Sequence, residues 1–351
     1  MNLMAPRRRF SRSLDLRHGR IELSHGSGGR TMAQLIEELF ERRFENAFLA
    51  QRHDAACFPV AAGRMVMTTD GFVISPLFFP GGDIGSLSVH GTVNDVAMTG
   101  AEPLYLTAGM ILEEGFPLAD LEAIVESMAA AAREAGVLVI AGDTKVVERG
   151  KGDGIFITTT GIGVVPEGVD IRPDRAAPGD RVLVNGTLGD HGVAVLASRE
   201  SLGFETDILS DSCALHGLVA DMVAAVPDIH MLRDATRGGL AAVLNEIAVQ
   251  SGVGISIHED AIPVSTAVRG ACELLGLDPL YVANEGKLVA FCRSQDAEVL
   301  LAAMRSHPLG QRAAIIGQCT DDRHRFVQMQ TSFGGNRIVD WLAGEQLPRI
   351  C

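Results

Sequence analysis

The sequence predicts two successive domains of mixed helix and strand, α/β and α+β in class. Its 351 residues exceed one compact module, since a domain usually holds about 50–250 residues. Helical and strand-like stretches interleave on both sides of 166–180, a segment with Pro166, Pro173 and Pro178 that reads as a linker. The chain is 47% hydrophobic and 21% charged, the balance of a folded protein. It contains no run of about 18 apolar residues, so no membrane-spanning helix is expected.

Each element has a local signal. A glycine-rich loop, His25-Gly26-Ser27-Gly28-Gly29, precedes a helix over 31–42. Strand residues 65–69 lead to Asp70, and 72–74 continue the extended run. Asp83 suits the N-cap of a helix over 84–98. A strand over 103–112 and a helix over 117–135 follow, the helix with Asp120, Glu122 and Glu126 on its wet face. Strands are expected over 137–147, broken at Gly142-Asp143, and over 155–165, which is rich in Thr and Ile. Beyond the linker come a strand over 181–184, helices over 189–199 and 212–225, and a helix after Asp234-Ala-Thr-Arg-Gly-Gly239. Strands over 253–257 and 287–291, a helix over 296–306, and strands near 313–318 and 325–330 complete the set. From Gly334-Gly335 the chain is short and free to swing. The expected divisions are a basic extension (1–20), an N-terminal domain (21–166), a C-terminal domain (167–333) and a mobile tail (334–351).

Charge and cysteine usage exclude several classes. The net charge of −14 opposes general binding to nucleic acid. It is unevenly spread, with +5 in the first 20 residues and −19 in the remainder. Arg7-Arg8-Arg9-Phe10 has the look of an export signal, but the apolar stretch such a signal needs does not follow. The six cysteines form no C-x-x-C pair and none lies at zinc-ligand spacing from a histidine, so a reduced, cytoplasmic protein is expected. Cys292 reads as a small buried strand residue.

Several residues are candidates for chemistry. The Gly26–Gly29 loop can bring backbone N–H groups close to an anion, although a plain connector accounts for it equally well. Without Gly-Lys-Ser/Thr it is not a P-loop. Asp70, Asn94-Asp95 and Asp143 stand at strand ends or in an apolar helix. Singly each is explained as a cap or turn residue; three acids in one domain point to Mg²⁺ and nucleotide phosphates. Strand alternation puts Lys145 on the same face as Asp143, where it can hold a phosphate, move a proton, or simply meet solvent. Glu285 is either a turn residue or a carboxylate aimed into a cleft. Asp234 is accounted for as an N-cap, and His191 as a turn residue or proton carrier. Cys351, the final residue, is the sharpest anomaly. The 16 residues from Asn336 can span about 50 Å when extended. The tail is therefore a candidate swinging arm, stiffened by Pro348, that carries a covalent intermediate on its thiol.

Taken together, the His25–Gly29 loop, Thr69-Asp70, the run Ser75–Asp83, Gly91-Thr-Val-Asn-Asp95, Gly142-Asp-Thr-Lys145, Arg233–Gly239, Asn284-Glu-Gly-Lys287 and terminal Pro348-Arg-Ile-Cys351 carry a resemblance. From about residue 22 to its end, the chain resembles the HypE family of [NiFe]-hydrogenase maturation proteins. The resemblance implies a two-domain fold shared with aminoimidazole ribonucleotide synthetase and selenophosphate synthetase, with a flexible C-terminal tail. It also implies a homodimer formed through N-terminal strands. The implied activity is ATP-dependent dehydration of a carbamoyl group on Cys351, giving a thiocyanate that supplies cyanide to the hydrogenase iron. By position, Asp70, Asp95 and Asp143 match the Mg²⁺–ATP set, with Asn94 beside them. Gly26, Ser27, Gly28 and Gly29 match the phosphate cover, and Lys145 with Glu285 the proton-transfer pair. Implied partners are the carbamoyltransferase HypF and the HypC–HypD iron scaffold. Two other readings stay open: another ATP-dependent synthetase of the superfamily, or a non-enzymatic thiol carrier. Ser27 in the loop and the distant Cys57 count against selenophosphate synthesis.

Overall fold

The computed structural model describes residues 10, 12–27, 29–51, 55–56, 58, 63–199, 206–342 and 349–351. Arg7–Arg9, Gly28, Cys57 and Pro348 lie outside the described residues. The N-terminal part runs α1 (Arg30–Leu35), a π-helical turn (Ile36–Phe40), α2 (Glu41–Arg43), β1 (Arg64–Phe72), β2 (Phe78–Phe79), β3 (Gly82–Asp83), α3 (Ile84–Ala97), β4 (Glu102–Glu113), α4 (Leu118–Glu134), β5 (Leu138–Val147) and β6 (Ile155–Val165). Its four-stranded sheet has the order β1-β6-β4-β5, with β4 and β5 parallel and the other pairs antiparallel. This order puts β1 and β5 at opposite edges.

Helix α3 starts where its sequence says it should. The Asp83 carboxylate accepts from the Gly85 and Ser86 amides at 2.6 and 3.2 Å, satisfying donors that a helix start leaves open. The helix packs on the sheet and on α4, burying Ile84, Leu87, Val89 and Val93 in one core. Its last turn, Val96 to Met98, belongs instead to a core shared with the second domain. On the opposite face of the sheet Met65, Met67 and Ile111 are exposed, while Phe48 and Phe58 pack against Tyr105.

The C-terminal part runs β7 (Arg181–Val184), α5 (Asp190–Ala197), α6 (His216–Ala225), β8 (Met231–Asp234), α7 (Gly239–Ser251), β9 (Gly254–His258), α8 (Thr266–Leu275), β10 (Leu288–Cys292), α9 (Ala297–Ser306), β11 (Ala314–Thr320), β12 (Val327–Gln330) and β13 (Asn336–Ile338). Its seven-stranded sheet has the order β13-β12-β9-β11-β7-β10-β8. One face packs on α7, and the other on α6, α9 and the end of α3. Cys292 is fully buried in strand β10, between β7 and β8.

Four features depart from the sequence reading. Strand β5 runs unbroken through Gly142-Asp143, with the irregularity placed earlier, opposite Leu106 and Thr107. The helix expected from residue 212 starts at His216, because the Leu215 amide is drawn to the Asn94 side chain at 2.7 Å. Helix α8 was not anticipated, although Ser265 caps it by accepting from the Val268 amide at 3.2 Å. The chain also stays attached beyond Gly335. Strand β13 pairs with β12, and Val339 is fully buried, so the last anchoring point lies later than residue 334. The linker, in turn, is pinned: Arg175 pairs with Asp228 at 2.7 Å and Asp180 with His230 at 2.6 Å.

Candidate active site

A cleft of about 490 Å³ opens between the β1–α3 layer and the end of β8. Asp70, Asp95, Asp234, Glu285 and Cys351 all line it. Asp70 comes from β1, and Asp95 from the last turn of α3, where it accepts from the Thr68 hydroxyl at 3.0 Å. Asp234 ends β8 and does not cap the next helix, correcting the sequence reading. Gly238 is the N-cap of α7, and Gly238 and Gly239 both have positive φ, which carries the backbone away and leaves the Asp234 carboxylate to the cleft.

Carboxylates enclosed together resist ionisation. Burial, reinforced by Asp95, pushes Asp234 up to about 7. Burial and then Asp234, Asp211 and Asp70 raise Glu285 well above the ordinary carboxylate range. Asp95 is raised by burial and by Asp70. Glu285 is 3% exposed and its Oε1 has no hydrogen-bond partner. A divalent cation among Asp70, Asp95 and Asp234 would relieve this repulsion, and their oxygens are of the kind Mg²⁺ takes, but the three side chains do not stand together at ligand spacing in this structure.

These shifts predict a trade-off. Because its folded-state pKa is raised, Asp234 contributes stability that is full below the ordinary aspartate value and lost as pH rises towards about 7. Asp234→Asn removes that slope. Melting of the metal-free variant at pH 8 is expected to show about 1–4 kcal/mol of added stability, with Mg²⁺–ATP binding lost in calorimetry.

The C-terminus is seated in the cleft. Ile350 is 3% exposed and packs in the N-terminal core. The Ser75 amide donates to the Arg349 carbonyl at 3.1 Å, and the Val73 amide to the Cys351 backbone oxygen at 3.3 Å. Burial, with Glu285 next in effect, pushes the Cys351 thiol up to about 12. Beneath Glu285 lies a buried ion pair, Lys287 to Asp211, at 2.8 Å. Asp211 also accepts from the Glu285 amide at 3.0 Å. Burial alone would raise Asp211 and lower Lys287; each is shifted the other way by its partner. Gly286 permits this crossing, since a Cβ there would stand 1.9 Å from the Asp211 carbonyl oxygen. The sequence reading gave Asp211 and Lys287 no role; the one visible signal was a lysine beside Glu285 in a Gly turn.

Two groups of expected residues are not brought together within one chain. Asp143 and Lys145 do share a face, with an ion pair of 2.6 Å and side chains about 64% and 63% exposed. They stand on β5, however, three strand spacings or about 14 Å from the Asp70 edge. They project from the face away from α3, while Asp70 projects towards it. The glycine-rich loop belongs with this second group. A Cβ on Gly26 would lie 2.8 Å from the Val146 amide of β5, Ser27 donates to the Ser24 carbonyl, and Gly29 is the N-cap of α1. Asp143 lines a separate hollow with Gly29 and Arg30. Among the described residues, no three acidic, histidine or cysteine side chains stand at metal-binding spacing.

Asn94, expected at the nucleotide, is committed elsewhere. Its amide donates to the Cys213 and Glu285 carbonyls at 3.0 and 3.2 Å, and its oxygen accepts from the Leu215 amide. It clamps the second domain to α3 from a fully enclosed position. Asn94→Ala would orphan these groups, and urea unfolding is expected to show a loss of about 2–4 kcal/mol.

The comparisons with known proteins agree with this architecture. Residues 52–165 match the N-terminal domain of AIR synthase related proteins, and residues 177–330 match the C-terminal domain. A carbamoyl dehydratase HypE from Azotobacter vinelandii is 69% identical over 338 residues, covering 96% of this chain and 99% of that protein. The chain belongs to the HypE family. A HypE structure in complex with ATP superimposes with a TM-score of 0.90 at 50% identity, covering 94% of this chain and 99% of that one. A HypE from a HypE–HypF complex gives 0.78 at 51% identity, covering 88% and 99%. The expectation of a HypE fold of two domains therefore holds. Among the described residues, no helix is long and apolar enough to cross a membrane.

Proposed function

We infer that the chain is an ATP-dependent carbamoyl dehydratase acting on its own C-terminal cysteine in [NiFe]-hydrogenase maturation. The observation that carries this reading is Cys351 seated beside Glu285 in a carboxylate-lined cleft. A thiol pushed up to about 12 is a poor nucleophile there. It therefore takes its carbamoyl group outside the cleft, from a carbamoyltransferase of the HypF kind, and enters already acylated.

The chemistry then balances. The thiocarbamate oxygen attacks the γ-phosphorus of ATP, the bond from that phosphorus to the β-bridging oxygen breaks, and ADP leaves. Loss of the phosphorylated oxygen as inorganic phosphate, with removal of both N–H protons, leaves S–C≡N on Cys351. Mg²⁺ bound with the nucleotide neutralises charge on the transferring phosphoryl group. Asp70, Asp95 and Asp234 would hold it. Glu285, enclosed beside Cys351 with its Oε1 unpaired and its basicity raised by burial, is placed to accept one of the N–H protons.

Lys145 serves this cleft from a second subunit. We propose a homodimer in which the exposed parts of these sheet faces pack together, burying Met67 and Ile111 and setting β5 of one chain against β1 of the other. That arrangement carries Asp143, Lys145 and the glycine-rich loop of the partner subunit to the Asp70 edge, completing a nucleotide site that each chain holds in halves. The thiocyanate is passed to the HypC–HypD iron scaffold in a reducing cytoplasm, where Cys351 remains a thiol between cycles. The test is the mass of the C-terminal peptide after incubation with ATP, Mg²⁺, carbamoyl phosphate and the carbamoyltransferase. A carbamoyl adduct that loses one water only with hydrolysable ATP is expected. A Cys351 left unmodified, while the transferase is active on another acceptor, would overturn the reading.

A further inference from the structure

We infer that His191, oriented by Ser210, positions the docked tail for reaction by gripping the peptide directly before Cys351. The inference rests on Cys351 being the carbamoyl acceptor. His191 lies in the first turn of α5 and is fully buried. Its Nε2 is 2.8 Å from the Ile350 carbonyl oxygen and its Nδ1 is 2.8 Å from the Ser210 hydroxyl. The edge of the Phe79 ring packs on it at 5.5 Å.

The hydrogen-bond network assigns the tautomer. A carbonyl oxygen only accepts, so Nε2 must carry the proton. The Ser210 oxygen accepts from the Ser212 amide at 3.1 Å and gives its own proton to Nδ1. Ser210 is itself fixed through its amide, which donates to the Pro80 carbonyl at 2.8 Å. The ring is therefore set as a donor towards the tail before the tail arrives. Burial holds the imidazole below its ordinary pKa, which keeps it neutral in this role.

The brace that orients His191 also orients the base. Ser210 holds His191, and the adjacent Asp211 accepts from the Glu285 amide at 3.0 Å while paired with Lys287. One dipeptide thus sets the spacing between the tail and Glu285. Other contacts, from Val73, Ser75 and Arg199, hold the tail at Arg349 and Cys351 nearer the surface. Withdrawal of the tail gives up this bond, so the contact biases the tail towards the docked state.

The test uses full-length His191→Leu, His191→Gln and Ser210→Ala chains. In His191→Leu, water loss from carbamoylated Cys351 is expected to slow about tenfold. Carbamoylation by the transferase and the KM for ATP are expected to hold, and hydrogen exchange at the Val73 and Ser75 amides to quicken. His191→Gln, whose amide can still donate, should recover most of the rate. Ser210→Ala should show a smaller slowing of the same kind and keeps the test decisive should His191→Leu not fold. Unchanged exchange and water loss in the folded variants, or equal loss in the Leu and Gln variants, would overturn the inference. A wild-type chain that never loses water in an ATP-dependent way would instead overturn the dehydratase reading, with amide exchange still judging the grip of His191.

Discussion

Glu285→Gln is expected to accept a carbamoyl group at the wild-type rate and to lose water from it about 10²–10⁴-fold more slowly. The size follows from what the side chain can do that an amide cannot. Glu285 is enclosed, has an unpaired Oε1 and is raised well above the ordinary carboxylate range, first by burial and then by Asp234. Glutamine matches the shape of the neutral acid and carries no charge for the neighbouring Asp234 and Asp211 to repel, so the fold is expected to hold. It has no basicity with which to take an N–H proton. The C-terminal peptide of the variant should therefore accumulate as the carbamoyl adduct, with ATP and Mg²⁺ present, while the wild type proceeds to the thiocyanate. Carbamoylation should be untouched because the proposed cycle acylates Cys351 outside the cleft. Water loss at the wild-type rate in the variant would remove Glu285 from the chemistry.

What the sequence disclosed was local, and what it concealed depended on strand order. The Asp83 cap, the strands either side of Asp70 and the apolar α3 are written in neighbouring residue types, and they form as read. So does the shared face of Asp143 and Lys145, which needs only alternation along β5; their ion pair was not read. Which acids share a cleft is a different matter. Asp70 and Asp143 look equivalent in sequence, and the order β1-β6-β4-β5 sends them to opposite edges. Asp234 replaces Asp143 in the single-chain cleft because two successive glycines move the helix cap to Gly238. That signal was present in the Arg-Gly-Gly run but read as a plain loop-to-helix junction. Asn94 misled for a related reason: a polar residue in an apolar helix suits a ligand, and its actual partners are backbone groups at 213, 215 and 285.

A mixture of two inactive chains is expected to regain activity. Lys145→Ala and Glu285→Gln each remove one half of the proposed site, and each homodimer should be silent. Equal mixing with subunit exchange makes half of all dimers mixed. In each of these, one cleft joins an intact Glu285 to an intact Lys145 from across the interface, so about a quarter of wild-type activity should return. A site built within one chain gives no recovery, because every chain in the mixture carries a lesion. The position of the product sharpens the test. Cys351 docks beside the Glu285 of its own chain, so the rescued thiocyanate should appear on Lys145→Ala chains and never on Glu285→Gln chains. Isotopic labelling of one variant before mixing lets mass spectrometry tell the two tails apart. Thiocyanate on both would mean that the tail crosses to its partner's cleft. Its absence from both would return Lys145 to the exposed ion pair with Asp143 seen on β5 and leave the cleft of each chain to work with its own residues alone.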